Sequence, residues 1–287
     1  MINPKTIEKL LDILPKNKMV ESAVTGLFFY CADTPSKSIS YIQEPSICIV
    51  LQGEREIYLG LECHRFNHSN LMFCPVNVPL SMHITKATID NPVIVLSMRL
   101  DVALIQEVLT KIPPQQSTDN HYLGIKWQLD DMVLASFERL IDLLHYPTDI
   151  NFLAPLIKQE IYYHLLLAPQ GTKLRQLVVN DSHVQRITQA IEWLKLNLNE
   201  SVVIEDLAHR FGMSVSGFHQ HFKDITGLSP LQYQKSLRLM AARRLIQVGE
   251  NQVSQIAMQV GYESPSQFSR EYKRLFGISP SQELKPV

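Results

Sequence analysis

One short pattern occurs twice in this chain and limits what it can fold into. The tetrapeptides GLSP, at residues 227–230, and GISP, at residues 277–280, stand 50 residues apart. Gly is typical of the left-handed residue that ends a helix, and Ser-Pro is typical of the cap and first position of the next helix. Each tetrapeptide therefore predicts that one helix ends and another begins. An internal repeat of this kind constrains the architecture before any finer feature is considered.

The residues upstream of the two tetrapeptides match as well. Phe218 and Phe222 in the first copy correspond to Phe268 and Tyr272 in the second copy, at an offset of 50. Because residues four apart face the same side of a helix, each pair predicts one buried helix face. A shorter predicted helix precedes each pair and is joined to it by a Gly turn. Two helices joined in this way form the helix-turn-helix, whose second helix enters the DNA major groove.

Caps and one long helix organise the two copies. The short first helices are predicted over residues 204–211 and 253–260, and Ser214 and Ser264 are the predicted N-caps of the second helices. Between the copies, residues 230–248 predict one helix of roughly 18 residues, about 27 Å long. Successive major grooves on one side of a duplex lie about 34 Å apart. One rigid helix can therefore hold both second helices against one face of DNA.

The outward faces of the two second helices carry short polar, amide and basic side chains, where an ordinary solvated face carries more Glu. Polar side chains near a helix N-terminus reach base edges, while basic side chains farther along suit phosphates. These faces display Ser216, His219, Gln220 and Lys223 in the first copy, and Ser266, Ser269, Arg270, Lys273 and Arg274 in the second. A helical hairpin that packs only on itself explains the apolar positions but not these faces.

The C-terminal third resembles a known family. Residues 183–284, with "DLAHRFGMSVSGFHQHFKDITGLSP" and "QIAMQVGYESPSQFSREYKRLFGISP", are similar to the DNA-binding domain of the AraC/XylS bacterial transcription regulators. The resemblance implies base contacts from Ser216, His219 and Gln220 in the first copy, and from Pro265, Ser266, Ser269 and Arg270 in the second. It also implies promoter DNA as partner and, for activation, contact with RNA polymerase. Because His219-Gln220 stands where Arg is frequent in the family, we expect the second copy to discriminate bases at least as strongly.

Charge is distributed unevenly along the chain. Residues 182–287 hold 12 Lys and Arg against 9 Asp and Glu, whereas residues 1–181 hold 15 against 19. Affinity for DNA depends largely on neutralising phosphates, so this modest excess predicts weak binding by one copy. We therefore expect a homodimer.

The first 110 residues predict strands. "SICIVLQGEREIYLG", "LMFCPVNVPLSMHIT" and "NPVIVLSMRL" are short apolar runs bounded by Pro, Asn, Gly and Ser, which is typical of a small barrel or jelly roll. Residues 45–104 are similar to the sensory N-terminal domain of one branch of AraC-type regulators. This resemblance implies a cupin-like barrel that holds a small effector. The predicted fold class is α+β: an N-terminal cupin-like β-barrel with flanking helices, followed by an all-α tandem helix-turn-helix domain.

Ligand cavities are mostly apolar with a few polar groups. The predicted strands supply such a set, and the candidate effector-pocket residues are Cys48, Val50, Tyr58, Met72, Cys74, Met82, His83 and Met98. Plain barrel core is the alternative interpretation of the same residues.

The histidines and cysteines of the first domain predict no metal site and no cofactor. His64 and His68 are four apart, a spacing that converges on one ion only in a helix, and this region predicts strand and turn. The four cysteines, none in a CxxC pair, are expected to be free thiols. Cys63, beside His64 and Arg65, is the most plausible reactive thiol, which leaves a redox-responsive regulator as an alternative.

The segment between the two domains predicts a helix with two apolar faces. These faces comprise Val133, Phe137, Leu140 and Leu144 on one side, and Trp127, Leu134 and Ile141 on the other. A helix that packs on its own barrel needs one such face. The second face is expected to form a dimer seam. Alternatively, both faces are covered by the apolar segment 151–167.

Four segments are therefore predicted: an N-terminal arm or helix over 1–20, a sensory barrel over 21–110, a helical dimerisation and linker region over 120–170, and the DNA-binding domain over 183–287. No apolar run reaches the roughly 18 residues of a membrane span and the N-terminus lacks a signal-peptide pattern, so we expect no membrane association and a cytoplasmic location.

The predicted function is sequence-specific DNA binding by a transcription regulator, an activator controlled by a small-molecule effector. A ligand-blind DNA binder is the alternative. A cupin-type metalloenzyme is disfavoured, because the sequence has no paired carboxylates, no HxH-plus-Glu set and no nucleophile with a base.

Overall fold

The N-terminal half is built from two antiparallel sheets that face each other. The computed structural model describes residues 2–60, 62–113, 125–179, 182–249 and 252–284. One sheet has the strand order β1-β2-β9-β4-β7-β10 and the other has the order β3-β8-β5-β6. The strands are β1 (Lys18–Glu21), β2 (Leu27–Ala32), β3 (Ser36–Gln43), β4 (Ser46–Gln52), β5 (Arg55–Leu59), β6 (Glu62–Phe66), β7 (Asn70–Cys74), β8 (Val78–Ile84), β9 (Val93–Arg99) and β10 (Lys126–Gln128). The predicted strand-rich first domain is confirmed.

The six-stranded sheet is covered on both faces. In β4, Cys48 and Val50 face the four-stranded sheet, whereas Ile47 and Ile49 face the helices on the other side, and all four are buried. Side chains alternate between the faces of a strand, so only a strand buried on both sides shows a continuous apolar run. This burial explains why "SICIVL" shows no alternation.

In the part of the chain that the structure describes, five helices pack on the outer face of the six-stranded sheet. They are α1 (Pro4–Ile13), α2 (Val102–Thr110), α3 (Asp131–Asp142), α4 (Ile150–Leu167) and α5 (Gly171–Gln176), with a 3-10 turn at Leu143–His145 after α3. α1 is the predicted N-terminal helix. The predicted 120–170 region begins in residues 114–124, which lie outside the described residues.

The prediction that Trp127 shares a helix face with Leu134 and Ile141 is wrong. Trp127 lies in β10, which pairs with β7 and completes the six-stranded sheet. Leu134 and Ile141 are buried in one core with Ile161 of α4. Both apolar faces of α3 are therefore covered within the chain, as the alternative interpretation predicts, and neither is a dimer seam.

The C-terminal third is the predicted all-α domain. Its helices are α6 (His183–Leu196), α7 (Ile204–Arg210), α8 (Val215–Thr226), α9 (Pro230–Val248), α10 (Val253–Gln259), α11 (Pro265–Phe276) and α12 (Pro280–Glu283). The Ser214 and Ser264 hydroxyls cap α8 and α11 by accepting hydrogen bonds from Gly217 N and Gln267 N. Gly227 and Gly277 end these helices in the left-handed conformation, at φ values of 75° and 78°. The repeat thus folds into two helix-turn-helix units joined by α9. No helix in the described ranges has both the length and the apolar character needed to cross a bilayer.

The first helix-turn-helix unit docks against the N-terminal domain. The inner side chains of the two sheets and those of α6 to α9 belong to one continuous apolar core. At its edge, the Tyr233 hydroxyl of α9 donates to the carbonyl oxygen of Asn77, at 2.5 Å. Gly227 lies against the buried Leu59, and Gly60 lies against Leu228. The two domains are therefore in tight contact where the first repeat ends.

This docking predicts different costs for two equivalent substitutions. Gly277→Ala places a Cβ in open space at a positive φ, so we expect only backbone strain, about 1–2 kcal/mol of unfolding free energy. Gly227→Ala carries the same strain, but its Cβ would lie 2.8 Å from Leu59 Cδ1. We expect a larger loss in urea unfolding for Gly227→Ala, with faster proteolysis between the domains. Equal losses for the two variants would contradict the docked arrangement.

Candidate nucleic-acid interface and ligand cavity

We call α8 and α11 the reading helices, because each is the second helix of a helix-turn-helix unit. In α8, Phe218 and Phe222 are buried and fix the helix on the bundle. The opposite face is in solvent, and all four predicted contact residues on it are exposed: Ser216, His219, Gln220 and Lys223. This face is therefore accessible to a duplex.

The second reading helix, α11, has the same arrangement. Phe268, Tyr272 and Phe276 are buried. The predicted contact residues Ser266, Arg270, Lys273 and Arg274 are exposed, while Pro265 and Ser269 are half-buried. Within the described chain, no ion pair engages the basic side chains of Arg270, Lys273 and Arg274. Their charges therefore face solvent.

Polar contacts hold α11 on the long helix α9. Glu271 accepts hydrogen bonds from Lys235 of α9 at 2.9 Å and from the Tyr262 hydroxyl at 2.8 Å. Burial alone would raise the pKa of Glu271, but the hydrogen bonds from Lys235, Tyr262 and Gln267 outweigh it and hold the pKa below its ordinary value. Glu271 therefore stays ionised and orients α11.

Arg238 is a positioning residue that the sequence analysis missed. From the middle of α9, its guanidinium donates to the carbonyl oxygens of Leu198 at 2.6 Å, Glu200 at 2.8 Å and Gly261 at 2.9 Å. Leu198 and Glu200 precede the first helix-turn-helix unit, and Gly261 is the turn of the second unit. One side chain thus bridges both copies. Carbonyl partners on two separate loops leave no sequence pattern, so only the fold reveals this role.

The segment between the domains contains α5, which lies near α8. Lys173 of α5 lies near Asp224, which in turn accepts from the Gln220 amide at 2.9 Å. Burial lowers the pKa of Lys173 to about 8, and the charge of Asp224 opposes this shift. The imidazole of His221 stacks on that of His183, with ring centroids 3.8 Å apart. The first reading helix therefore contacts the interdomain segment along one edge.

Five of the eight predicted pocket residues converge between the two sheets. Cys48, Val50, Met72, Cys74 and Met82 are all buried in the core that the sheets share.

The other three predicted pocket residues lie elsewhere. Tyr58 and His83 lie on the outer face of the four-stranded sheet, because they alternate with the inward-facing Ile57 and Met82, and their rings are 4.7 Å apart. Met98 is on the helix-facing side of the six-stranded sheet. The assignment of these three to the cavity is wrong, since the register of each strand places them on the opposite face.

The space between the sheets also contains polar residues that the sequence analysis missed. Arg55 is 3% exposed, and its side chain lies on the same inner face of β5 as those of Ile57 and Leu59. The Tyr41 side chain likewise lies on the inner face of β3, where Tyr41 pairs with Leu80 of β8. The alternation in "REIYL" was the available signal for Arg55. A cleft of about 270 Å³ opens between the sheets and is lined by Met19, Phe28, Tyr41, Ile42, Gln43, Glu44, Ser46, Ser97 and Arg99.

Acidic side chains in this space are held in their neutral forms. Burial raises the pKa of Tyr41 to about 12, against the opposing effect of the Arg55 charge. Burial, reinforced by Cys48, raises the pKa of the Cys74 thiol well above its ordinary value. Neither group is an anion at neutral pH.

The two histidines considered for metal binding, His64 and His68, lie in a strand and in the turn that follows it. His64 is in β6, with its Nε2 3.8 Å from Glu62, and His68 lies in the turn that follows β6. Over the described ranges, no cluster of three or more His, Cys, Asp or Glu side chains is placed to hold a metal ion.

Two helix-turn-helix units beside a separate two-sheet domain define the class of transcription regulators that join a DNA-binding domain to a sensory domain. Family models agree with this architecture. The model described as the AraC-type transcriptional regulator N-terminus matches residues 23–173, and a helix-turn-helix domain model matches residues 207–285. The chain belongs to the AraC-type transcriptional regulators, a family of regulators and not of enzymes.

Similar proteins support the assignment. The HTH-type transcriptional activator RhaS of Escherichia fergusonii is 30% identical over 168 residues, which are 58% of this chain and 59% of that protein. RhaS of Salmonella paratyphi A is 28% identical over 174 residues, 60% of this chain and 61% of that protein. The chain thus matches less than two thirds of these relatives. The structure of ToxT from Vibrio cholerae with a bound unsaturated fatty acid has a TM-score of 0.55 at 14% identity and covers 92% of this chain and 97% of that chain, which shows the shared fold.

The positions of the four thiols predict a sharp difference in reactivity. Cys63 is exposed, whereas Cys31, Cys48 and Cys74 are buried. In the native protein we expect iodoacetamide to label Cys63 first, and the other three thiols to react only after unfolding. Mass spectrometry of native and denatured samples checks this. Labelling of Cys48 or Cys74 at the rate of Cys63 would show that the space between the sheets is open to reagent.

Proposed function

We propose that this protein is a sequence-specific regulator that binds promoter sites in double-stranded DNA and activates transcription under the control of a small molecule. The observation that carries the proposal is the pair of exposed polar faces on α8 and α11, each fixed by buried aromatic residues on one helical domain. α9 has 19 residues, which corresponds to about 28 Å at 1.5 Å per residue. This length suits two probes that enter neighbouring turns of one groove.

Within each reading helix we divide the contacts by position. The side chains in the first two turns contact base edges: Ser216, His219 and Gln220 in α8, and Pro265, Ser266, Ser269 and Arg270 in α11. Lys223, Lys273 and Arg274 lie farther along and contact phosphates. Because the Gln220 amide nitrogen donates to Asp224, its carbonyl oxygen is left to accept from a base. Arg270 is the residue suited to bidentate recognition of guanine.

We further propose that the protein acts as a homodimer through α4. Both faces of α3 are covered, but α4 presents an uncovered apolar stripe at intervals of four, seven and four residues: Phe152 (75% exposed), Leu156 (49%), Tyr163 (44%) and Leu167 (37%). The partner that suits this stripe is a second copy, since the weak positive excess of one DNA-binding domain favours two copies on a promoter. The proposed dimer interface therefore lies on α4, whereas the sequence analysis expected it on α3.

Control by a ligand requires that it bind one arrangement of the domains better than another. The five predicted pocket residues that converge between the sheets and the docking site of the first helix-turn-helix unit belong to one apolar core, so a molecule bound between the sheets acts on the surface that holds α8 and α9. The names of the RhaS relatives describe activators, and activation implies contact with RNA polymerase. The fatty acid bound to ToxT supports a small-molecule effector for proteins of this fold. A cytoplasmic location follows from this function.

Arg270→Ala tests base recognition. We expect a loss of about 1–3 kcal/mol in binding free energy for the cognate site, with relaxed sequence preference, because a guanine contact is removed. Fluorescence anisotropy on the cognate duplex, on single-base variants and on random DNA measures both effects. Arg65→Ala, which removes an exposed charge from the sheet domain, is the control. An equal loss on random DNA would show that Arg270 contacts only phosphate.

Leu156→Glu tests the dimer. A charge in the middle of the apolar stripe on α4 is expected to lower the dimer population and to weaken binding to a promoter with two half-sites, while single-site binding is preserved. Sedimentation equilibrium measures the mass, and Ile89→Glu, at an 81% exposed position elsewhere, is the matched control. A wild-type protein that stays monomeric at high concentration would contradict the proposed interface.

A further inference from the structure

The unusual feature of the space between the sheets is an unpaired buried cation. Arg55 is 3% exposed, its Nη1 donates to the thioether sulfur of Met82 at 3.7 Å, and the neutral Tyr41 hydroxyl is a further hydrogen-bond partner of the guanidinium. In the described chain, its Nε and Nη2 are buried without a hydrogen-bond partner. Burying a charge is costly unless it is paired, and buried Arg is normally matched with an anion. The partly buried Arg243 of this chain follows that rule, because it pairs with Glu283.

No internal anion compensates this charge among the described residues. No carboxylate forms an ion pair with Arg55, and the acidic groups beside it, the Tyr41 phenol and the Cys74 thiol, are kept neutral by pKa values raised through burial. The Cys48 thiol also lies nearby and donates to the Ser97 hydroxyl, at 3.3 Å. The space between the sheets thus holds one positive charge and neutral polar groups, within apolar walls.

The two unpartnered nitrogens are placed for a particular kind of anion. Nε and Nη2 lie on the same edge of the guanidinium and donate two parallel hydrogen bonds, the geometry that matches both oxygens of a carboxylate. The Tyr41 hydroxyl can donate to the same group. Tyr41 also lines the cleft of about 270 Å³, together with Ser46 and Ser97, so it connects the neighbourhood of Arg55 with the opening between the sheets.

We propose that the cavity between the sheets binds the carboxylate of a small organic acid, with Arg55 as the bidentate anchor, Tyr41 as a further donor and the apolar walls holding the body of the acid. This inference rests on the proposed function in that it identifies the chemical class of the effector. The single cation favours a monoanion over a phosphate dianion, because a second negative charge would be left without a counterion. The small cleft favours a compact acid.

Isothermal titration calorimetry of the full chain without DNA tests the proposal with benzoate and hexanoate as probes. We expect saturable binding of both carboxylates, and at least tenfold weaker binding of benzamide and hexanamide, which have the same shape without the charge. Arg55→Lys keeps the charge but lacks the two parallel N–H donors of the guanidinium. We therefore expect this variant to bind benzoate at least tenfold more weakly than wild type. Arg65→Lys, on the neighbouring strand with an exposed side chain, is expected to bind as wild type does.

Melting temperatures separate a ligand anchor from a structural arginine. Arg55→Met removes a buried unpaired charge and fills its space with an apolar side chain, so the ligand-free variant is expected to melt no lower than wild type and to gain nothing from benzoate. A clearly lower melting temperature, or failure to fold, would show that the guanidinium holds the sheets together and would overturn the proposal.

Three binding results would also overturn it: no heat from either carboxylate, equal binding of benzoate by Arg55→Lys and wild type, or tighter binding of inorganic phosphate than of benzoate. Because no DNA is present, these outcomes are independent of promoter recognition. Normal promoter binding with no carboxylate binding refutes the anion site alone. Carboxylate binding by a protein that fails to recognise promoter DNA refutes the regulatory role and leaves the site intact.

Discussion

The arrangement of the DNA-binding domain depends on a single guanidinium, that of Arg238. From the helix that joins the two units, it donates to the carbonyl groups of Leu198 and Glu200, in the loop before the first unit, and of Gly261, in the turn of the second unit. Hydrogen bonds from a charged donor are stronger than neutral ones, so this side chain ties the loop before the first unit to the turn of the second unit. Lys235, one turn earlier on α9, adds an ion pair to Glu271 of the second reading helix. The length of α9 alone sets the distance between the two units, and the contacts of Arg238 and Lys235 also hold the second unit against α9.

The second organising feature is an apolar core that crosses the domain boundary. Leu59 and Leu80 of the sheet domain share it with Phe222 and Leu237 of the helical domain, and the Tyr233 hydroxyl satisfies a backbone carbonyl of the sheet domain at its rim. A boundary of this kind couples the two domains, because a change in the spacing of the sheets alters the surface on which the first reading helix rests. The second reading helix is anchored in another core, against which Ile42 of β3 packs from the sheet domain. The two DNA probes are therefore coupled unequally to the sensory domain.

The sheet domain combines features that oppose stability with features that suit a ligand. A β-sandwich core built for stability alone would place an apolar side chain at position 55, where this chain has an arginine with two unpartnered nitrogens. The Cys74 thiol and the Tyr41 phenol stay protonated, because burial raises the pKa of each, and they do not neutralise it. Such a local conflict between sequence and fold is expected at functional sites. On the helix-facing side of the same sheet, where Ile47, Leu96 and Met98 pack, no buried charged side chain occurs among the described residues.

The sequence by itself determined the duplicated helical unit. The caps at Ser214 and Ser264, the left-handed Gly227 and Gly277, and the spacing of the buried aromatic residues are local features, and local features follow from backbone sterics and helical periodicity. The exposed faces of the reading helices followed for the same reason. Tertiary structure alone decided which faces pair over long range. A one-residue change of parity moves a strand residue to the other side of its sheet, so Tyr58 and His83 lie outside the cavity and Arg55 lies inside it. The carbonyl partners of Arg238 and the uncovered stripe of α4 likewise depend on which distant segments come into contact. Local sequence patterns do not specify those long-range contacts.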